Sequence, residues 1–488
     1  MVSNLITRYQ RLIFNPDRRV AQAALVTTLL LAALAVALLV AVAGPVYAIG
    51  AGLGLAAGYL ALRSPRWGLV FVILVATLLP FATFPIRIGF KPTFLDAALA
   101  AFVLVWGVSL VTGRERRFTG SPMGLPVAVF LFLALFAFAL GAANARPSVT
   151  TIRRFAEIIG GVLLFFVVIN VVRQQEDLEW TGKVLILAGA GSALIGVVFY
   201  VIPEEWTVAV LNGLARFDYP GGFGALRYIE DDPANAMRAI GTAIDPNTFG
   251  GMLIMFSALA LPQLFARRPI LPRWLVAGIV GLTVLCLYLT YSRSAMVGLA
   301  AAILLIALLR YRKLLLWGVM GLALLLLLPQ TQDYVARFVE GIQGQDLATQ
   351  MRFGEYRDAL RLIARYPVFG VGFSGTPDID LYIGVSSVYL LMAETMGVVG
   401  LLSFLAAMLV YFVTFFGTMR RGLSDDRREA LLLGLSAAVA GVLVSGVLDH
   451  YLFNLAYPHM VSLFWIYVGL GMAAILIERN GQKVRGSL

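Results

Sequence analysis

Long apolar runs, broken every twenty residues or so by charged or Pro/Gly segments, set the pattern of this chain. A bilayer core of about 30 Å is crossed by about 20 helical residues. In lipid only a helix or a closed barrel satisfies its own backbone groups, and uninterrupted runs of this length are helical. The runs predict fourteen spans, near 21–43, 45–62, 67–83, 94–112, 123–142, 155–172, 182–202, 248–266, 274–291, 294–309, 314–328, 397–417, 430–449 and 457–477. The hairpin at Gly44-Pro45 and the pair flanking Ser292-Arg293-Ser294 each admit a two-for-one miscount, so the range is twelve to fourteen. The fold class is therefore all-α, a polytopic transmembrane helical bundle. Only the intervals 203–247 and 329–386 are long enough to carry structure of their own. With no internal repeat, low-complexity tract or soluble end domain, residues 1–488 are expected to form one integral membrane domain with two elaborated loops, the second partly helical.

Composition agrees: 60% hydrophobic and 13% charged residues suit lipid better than water. The net charge of +11 is dispersed between spans instead of forming a stripe, which argues against a nucleic-acid partner and for membrane topology. Arg8, Arg11, Arg18 and Arg19 precede the first apolar run and no small-residue cleavage site follows it, so a retained first helix is expected. With the N-terminus inside, cytoplasmic segments hold 24 of the 38 Lys and Arg, and eight of the other 14 lie in the two long loops, which the positive-inside rule largely ignores. Both termini are then cytoplasmic, the membrane is the bacterial inner membrane, and residues 203–247 and 329–386 are extracytoplasmic. The lone Cys286 sits in an apolar run and reads as a structural thiol.

The candidate chemistry lies on the outside. Residues 351–366 form an amphipathic helix ended by Pro367. At 100° per residue Phe353, Tyr356, Ala359, Leu360 and Ile363 share one face, Arg357, Arg361 and Arg365 line the opposite one, and Arg352 falls at the edge of the buried face. An arginine aimed into a protein at a membrane surface suits a lipid-linked phosphate, or else a salt bridge such as one to Glu355. The stripe 357/361/365 suits solvent or lipid headgroups. A glycine turn, Val368-Phe369-Gly370-Val371-Gly372-Phe373, leads to an apolar helix from Ser386 that carries Glu394, costly in hydrocarbon unless it has a partner or a function. Asp245 or Asn247 can cap the helix that follows Arg238, and Arg293 stands alone between two spans. Arg238, Arg293 and Arg352 are three outside arginines able to converge on one diphosphate.

Three stretches in this order, Arg238 to Asn247 (RAIGTAIDPN), Thr290 to Gly298 (TYSRSAMVG) and Arg352 to Gly400 (with RYPVFGVGF and YLLMAETMGVVG), resemble the O-antigen ligase and polymerase superfamily. The resemblance covers roughly residues 238–405. It implies a metal-independent, cofactor-free, inverting glycosyl transfer on the extracytoplasmic face, from a polyprenyl-diphosphate-linked glycan to a lipid A core or another glycan. In that family outside arginines hold the diphosphate, positions matched here by Arg293 and Arg352, and a histidine after the glycine turn activates the acceptor. Here Ser386-Ser387 stands at that place, and a serine hydroxyl has no pKa near neutrality. Ser386 is left to orient an acceptor, with two candidate bases: His450 beside Asp449, or Glu394. The other histidine is His459.

Rival readings are weaker. Asp378-Ile379-Asp380 has the shape of a metal-binding motif for a soluble-donor glycosyltransferase, but so short a match arises often by chance. An oligosaccharyltransferase of the related membrane class calls for a substantial first outside loop, whereas the first one here is about Gly44-Pro45. A transporter or channel calls for repeated halves and mid-membrane charge, whereas the spans carry little beyond Asp96, Glu157 and Glu394. A member that binds glycan lipids without transferring them is the remaining alternative. Polymerase and ligase share these segments and differ in acceptor. Besides the glycan lipid and its acceptor, membrane lipids are the expected partners.

Overall fold

The computed structural model describes residues 20–22, 24, 26–28, 45–85, 87, 89–113, 118–327, 332–344, 347–375 and 384–486. The first predicted span, most of its preceding arginines and the Asp378-Ile379-Asp380 motif lie outside the described residues. Two compact units divide at Trp67: the first holds α1 (Pro45–Arg63), and the second, from Gly68, begins inside α2 (Pro65–Leu78) and holds the site. The chain continues with α3 (Phe94–Val111), α4 (Gly124–Asn144), α5 (Val149–Val171), α6 (Gln175–Val201), α7 (Glu204–Leu214), α8 (Pro246–Phe265), α9 (Arg273–Leu289) and α10 (Arg293–Leu309). It ends with α11 (Lys313–Leu327), α12 (Gln332–Gln343), α13 (Leu347–Arg365), α14 (Val388–Arg421), α15 (Asp426–Ser445) and α16 (Pro458–Gly486). Among the described residues there is no strand, only two isolated bridges. Among the described residues eight helices, α3 to α6, α8 and α14 to α16, are long and apolar enough to cross a membrane; α2, α9 and α10 are apolar but shorter. The protein is an all-α, multi-pass membrane bundle.

Its centre is built from helices that bury most of their circumference. α16 packs against α5 and α15, while α8 is held between α15, α9 and α10; α4 and α14 pair at the periphery. Arg153 pairs with two carboxylates inside the bundle. Arg153 lies 3.1 Å from Asp96 and 3.0 Å from Glu157. Thr93 caps α3 in a capping box with Asp96, and its hydroxyl donates to Glu157 at 2.7 Å.

One end of the bundle is tied by a polar girdle. Arg428, at the start of α15, donates to Glu478 of α16 (2.6 Å) and to Gln175 of α6 (2.7 Å), and the Ser424 hydroxyl donates to Glu478 as well. Arg427 pairs with Glu179 and Arg310 with Glu429. The starts of α6 and α15 and the ends of α10 and α16 therefore meet there. At the opposite end residues 203–247 fold over the bundle around Phe199, Val208, Leu211, Tyr219, Leu226 and Ile240. Lys91 clamps this cap to Asp218 at 2.6 Å, a hydrogen bond that holds the Asp218 carboxyl below its ordinary value.

Candidate functional site

The glycine turn explains the local architecture. α14 is broken at Gly397 (φ 69°, ψ −179°), which strands the Glu394 and Thr395 carbonyls and the Val398 and Val399 amides in the interior of a span. The turn satisfies them. Val371 and Gly372 donate to the carbonyls of Glu394 and Thr395 (2.8 and 2.9 Å), while Val398 and Val399 donate to those of Pro367 and Val368 (2.8 and 3.4 Å). Irregular backbone at this depth is tolerable only when buried in protein and paired in this way. Such close approach requires glycine: a Cβ on Gly370 would strike the backbone at Glu394 and Gly397, and one on Gly372 would strike Gly141 of α4. The predicted start of this span at residue 397 thus marks a break, and the helix begins nine residues earlier.

α13 lies against the entry to α14. Glu355 accepts the Ser386 amide at 2.9 Å, and the Tyr356 hydroxyl donates to the Ser386 carbonyl at 3.1 Å, so one helix turn grips both backbone groups of Ser386. The buried face of α13 is rotated from the sequence prediction. Ala359 and Leu362 are buried, and Arg352, Glu355, Tyr356 and Ile363 are half-buried, whereas Phe353 and Leu360 are 56% and 58% exposed. Arg357, Arg361 and Arg365 are exposed, as expected. Burial chiefly, with Glu355 and Asp449 adding to it against Arg352, raises the Tyr356 phenol above its ordinary value.

Behind Ser387 lies the turn Asp449-His450. The Asp449 carbonyl accepts the Val388 amide (2.9 Å), and its buried carboxylate accepts the Ser294 hydroxyl (3.3 Å) and the His450 amide (2.9 Å). The His450 Nδ1 stands 3.4 Å from Asp449 Oδ1, an ion-pair distance without hydrogen-bond alignment. Burial pushes this imidazole down, but Asp449, Asp245 and Glu355 together outweigh it and leave the group above its ordinary value.

The remaining motif segments join at Ser294. Arg238 donates to the Thr290 carbonyl (2.8 Å) and to Asn247 (2.7 Å), and the Ala239 amide donates to Leu289, which straps the 203–247 segment to the turn before α10. Asp245 caps α8 through the Thr248 amide, as expected. Two residues hold a left-handed φ here, Ile244 (62°) and Tyr291 (51°). For a β-branched residue such a conformation persists only where surrounding structure imposes it, and strain of this kind clusters at functional sites. Arg293 opens α10 directly after Ser292, its N-cap, and directly before Ser294.

A cavity of about 560 Å³ opens among these segments, lined by Glu355, Phe373, Ser374, Gly375, Gly384, Val385, Ser386, Leu391, Thr395, His450, Phe453, Asn454 and Leu455. Of the predicted site residues, Ser386 and His450 are on its wall. Arg352 is one helix turn before Glu355 and Arg293 is next to Ser294, whose hydroxyl reaches Asp449; neither arginine is on the wall. Glu394, 1% exposed, is not on the wall, although Leu391 and Thr395 of the same helix are; among the described residues its carboxylate oxygens have no aligned hydrogen-bond partner. His459 is buried against Phe81, ring centroids 5.2 Å apart, away from the cavity. Glu355 and Asn454 were missed as site residues. Glu355 had one available signal, its i+3 spacing from Arg352, which puts both on one helix face.

Fold and site together define a multi-pass helical membrane protein with a cavity of mixed polar and apolar lining at the end of the bundle opposite its ionic girdle. Residues 278–405, from within α9 to just past the break in α14, match the family model described as O-antigen ligase. No curated protein matches the chain.

Proposed function

We propose that the protein transfers a glycan from a polyprenyl-diphosphate carrier to a hydroxyl of a lipid A core or another glycan, on the outer face of the bacterial inner membrane. The observation that carries this reading is the cavity whose wall holds His450, with Asp449 beside it, together with Ser386 and Glu355, Arg352 being one helix turn from Glu355 and Arg293 next to Ser294, the partner of Asp449. His450 takes the acceptor proton, the acceptor oxygen attacks the anomeric carbon, and the bond to the diphosphate breaks with inversion. Arg352 and Arg293 hold the charge that develops on the departing diphosphate, Arg352 through its bidentate fork. In this role His450 replaces the histidine missing at Ser386, and Asp449 orients its ring and stabilises the imidazolium. Arg238, already bonded to Thr290 and Asn247, braces the arginine-bearing turn and presents any remaining donor capacity to the diphosphate. Glu394 is the less favoured base because it is off the cavity wall.

The test is transfer by purified protein in nanodiscs, given a polyprenyl-diphosphate glycan and an acceptor. Arg352→Ala and Arg293→Ala are expected to abolish transfer at normal membrane levels. Wild-type rates in both variants would sink the diphosphate assignment, and binding of the donor without product would favour the non-catalytic alternative.

A further inference from the structure

We propose that the cavity receives an uncharged sugar, and that Glu355 is the residue that selects against acidic acceptors. This deepens the transferase reading and rests on it for the word acceptor; the binding chemistry stands on the cavity alone. Phe373 and Phe453, ring centroids 5.9 Å apart with their planes at 64°, give the wall two apolar residues beside the polar groups of Ser386 and Asn454. A pyranose presents the matching pair of surfaces, a C–H face and an edge of hydroxyls.

Glu355 sets the charge of what fits. Its Oε2 is used by the Ser386 amide, while the carboxylate as a whole lines the cavity and as an ion can only accept hydrogen bonds. A sugar hydroxyl donates to it; a uronate or phosphate in its place meets like charge in a partly desolvated cavity, the arrangement by which interfaces reject wrong partners. Asp449 and Asp245 add negative charge around His450, and Arg352 and Arg293 are off the wall. The wall thus offers an acceptor the carboxylate of Glu355, while the arginines assigned to the donor diphosphate are off it. Its volume is within the range of about 300–1,000 Å³ common for small-ligand pockets.

The experiment compares binding of a neutral hexose trisaccharide with that of the same trisaccharide oxidised to a uronic acid at its terminal C6, to protein in nanodiscs at neutral pH. Wild type is expected to favour the neutral sugar by about tenfold, about 1.4 kcal/mol. E355Q keeps an oxygen for the Ser386 amide and removes the charge, and is expected to bring the two affinities within about threefold. N454D keeps the oxygen that accepts the Ala456 amide, adds a carboxylate, and is expected to widen the preference beyond the wild-type ratio. Equal wild-type affinities, an unchanged ratio in E355Q, or an unchanged ratio in N454D if E355Q does not fold, overturns the proposal. Transfer is measured on the same samples: absence of product from both sugars sinks the transferase reading, while the binding ratio still decides the chemistry of the cavity.

Discussion

At the residue scale the cavity has one imidazole, and its environment fixes the pH at which it works. The carboxylates of Asp449, Asp245 and Glu355 together outweigh burial, so His450 holds its proton to higher pH than an ordinary histidine. A general base acts when deprotonated, so transfer should rise with pH along a limb centred above the ordinary histidine value of 6.5. Asp449→Asn removes the nearest charge and keeps one oxygen, which can still accept the His450 amide, while the amide nitrogen in place of Oδ2 donates to the Ser294 hydroxyl where the carboxylate accepted from it; the limb should move to lower pH and the plateau should fall, because the imidazolium formed in the reaction loses its partner. A pH profile of kcat/KM in nanodiscs reads both effects. His450→Ala should cost about 10²- to 10⁴-fold in kcat, the usual range for a positioned base, while Glu394→Gln should leave the limb where it is. The reverse outcome would transfer the role to Glu394.

At the element scale the broken helix α14 and the turn 367–373 act as one piece of backbone. Gly397→Ala puts a side chain at a left-handed φ, a strain of about 1–3 kcal/mol, and sends its Cβ into the Val368 carbonyl. Both the melting temperature in detergent and transfer should drop, because the same hydrogen bonds position Phe373 on the cavity wall. An unchanged melting temperature would show that the turn does not brace the helix. Sequence made the apolar spans legible because lipid leaves a helix no alternative. It did not reveal the break, because a glycine inside an apolar run looks like any other small residue until a second strand of backbone lies against it. It also misjudged the face of α13. Sorting apolar residues inward is sound for a helix surrounded by water, but α13 lies against a cavity with polar groups on its wall, so Glu355 and Arg352 turn inward while Phe353 and Leu360 turn out. The arginine is legible by its cost of burial; the glutamate one turn on reads from sequence only as one possible salt-bridge partner of that arginine.

At the scale of the whole molecule the two ends of the bundle differ in kind. Arg428 and Glu478 are buried together in the girdle, so removing either leaves an uncompensated charge, a loss of about 3–5 kcal/mol. Arg428→Ala should therefore lower thermal stability in detergent far more than Arg357→Ala, which takes an exposed side chain from α13. The cavity is at the other end, reached by the segments around Arg238, Ser294, Glu355 and His450. Which end faces out rests on the distribution of basic residues, and the chain is suited to a direct measurement. Its single cysteine, Cys286, is fully buried in α9, so a membrane-impermeant maleimide should leave the natural protein unlabelled. Asp232 is exposed in the 203–247 segment, at the end of the bundle opposite the girdle, and Arg421 is exposed at the last turn of α14, close in sequence to the girdle. In spheroplasts Asp232→Cys should label at once and Arg421→Cys only after lysis. The opposite order would put the cavity in the cytoplasm, where a lipid-linked donor presented on the outer face could not reach it, and the proposed reaction would fall with the orientation.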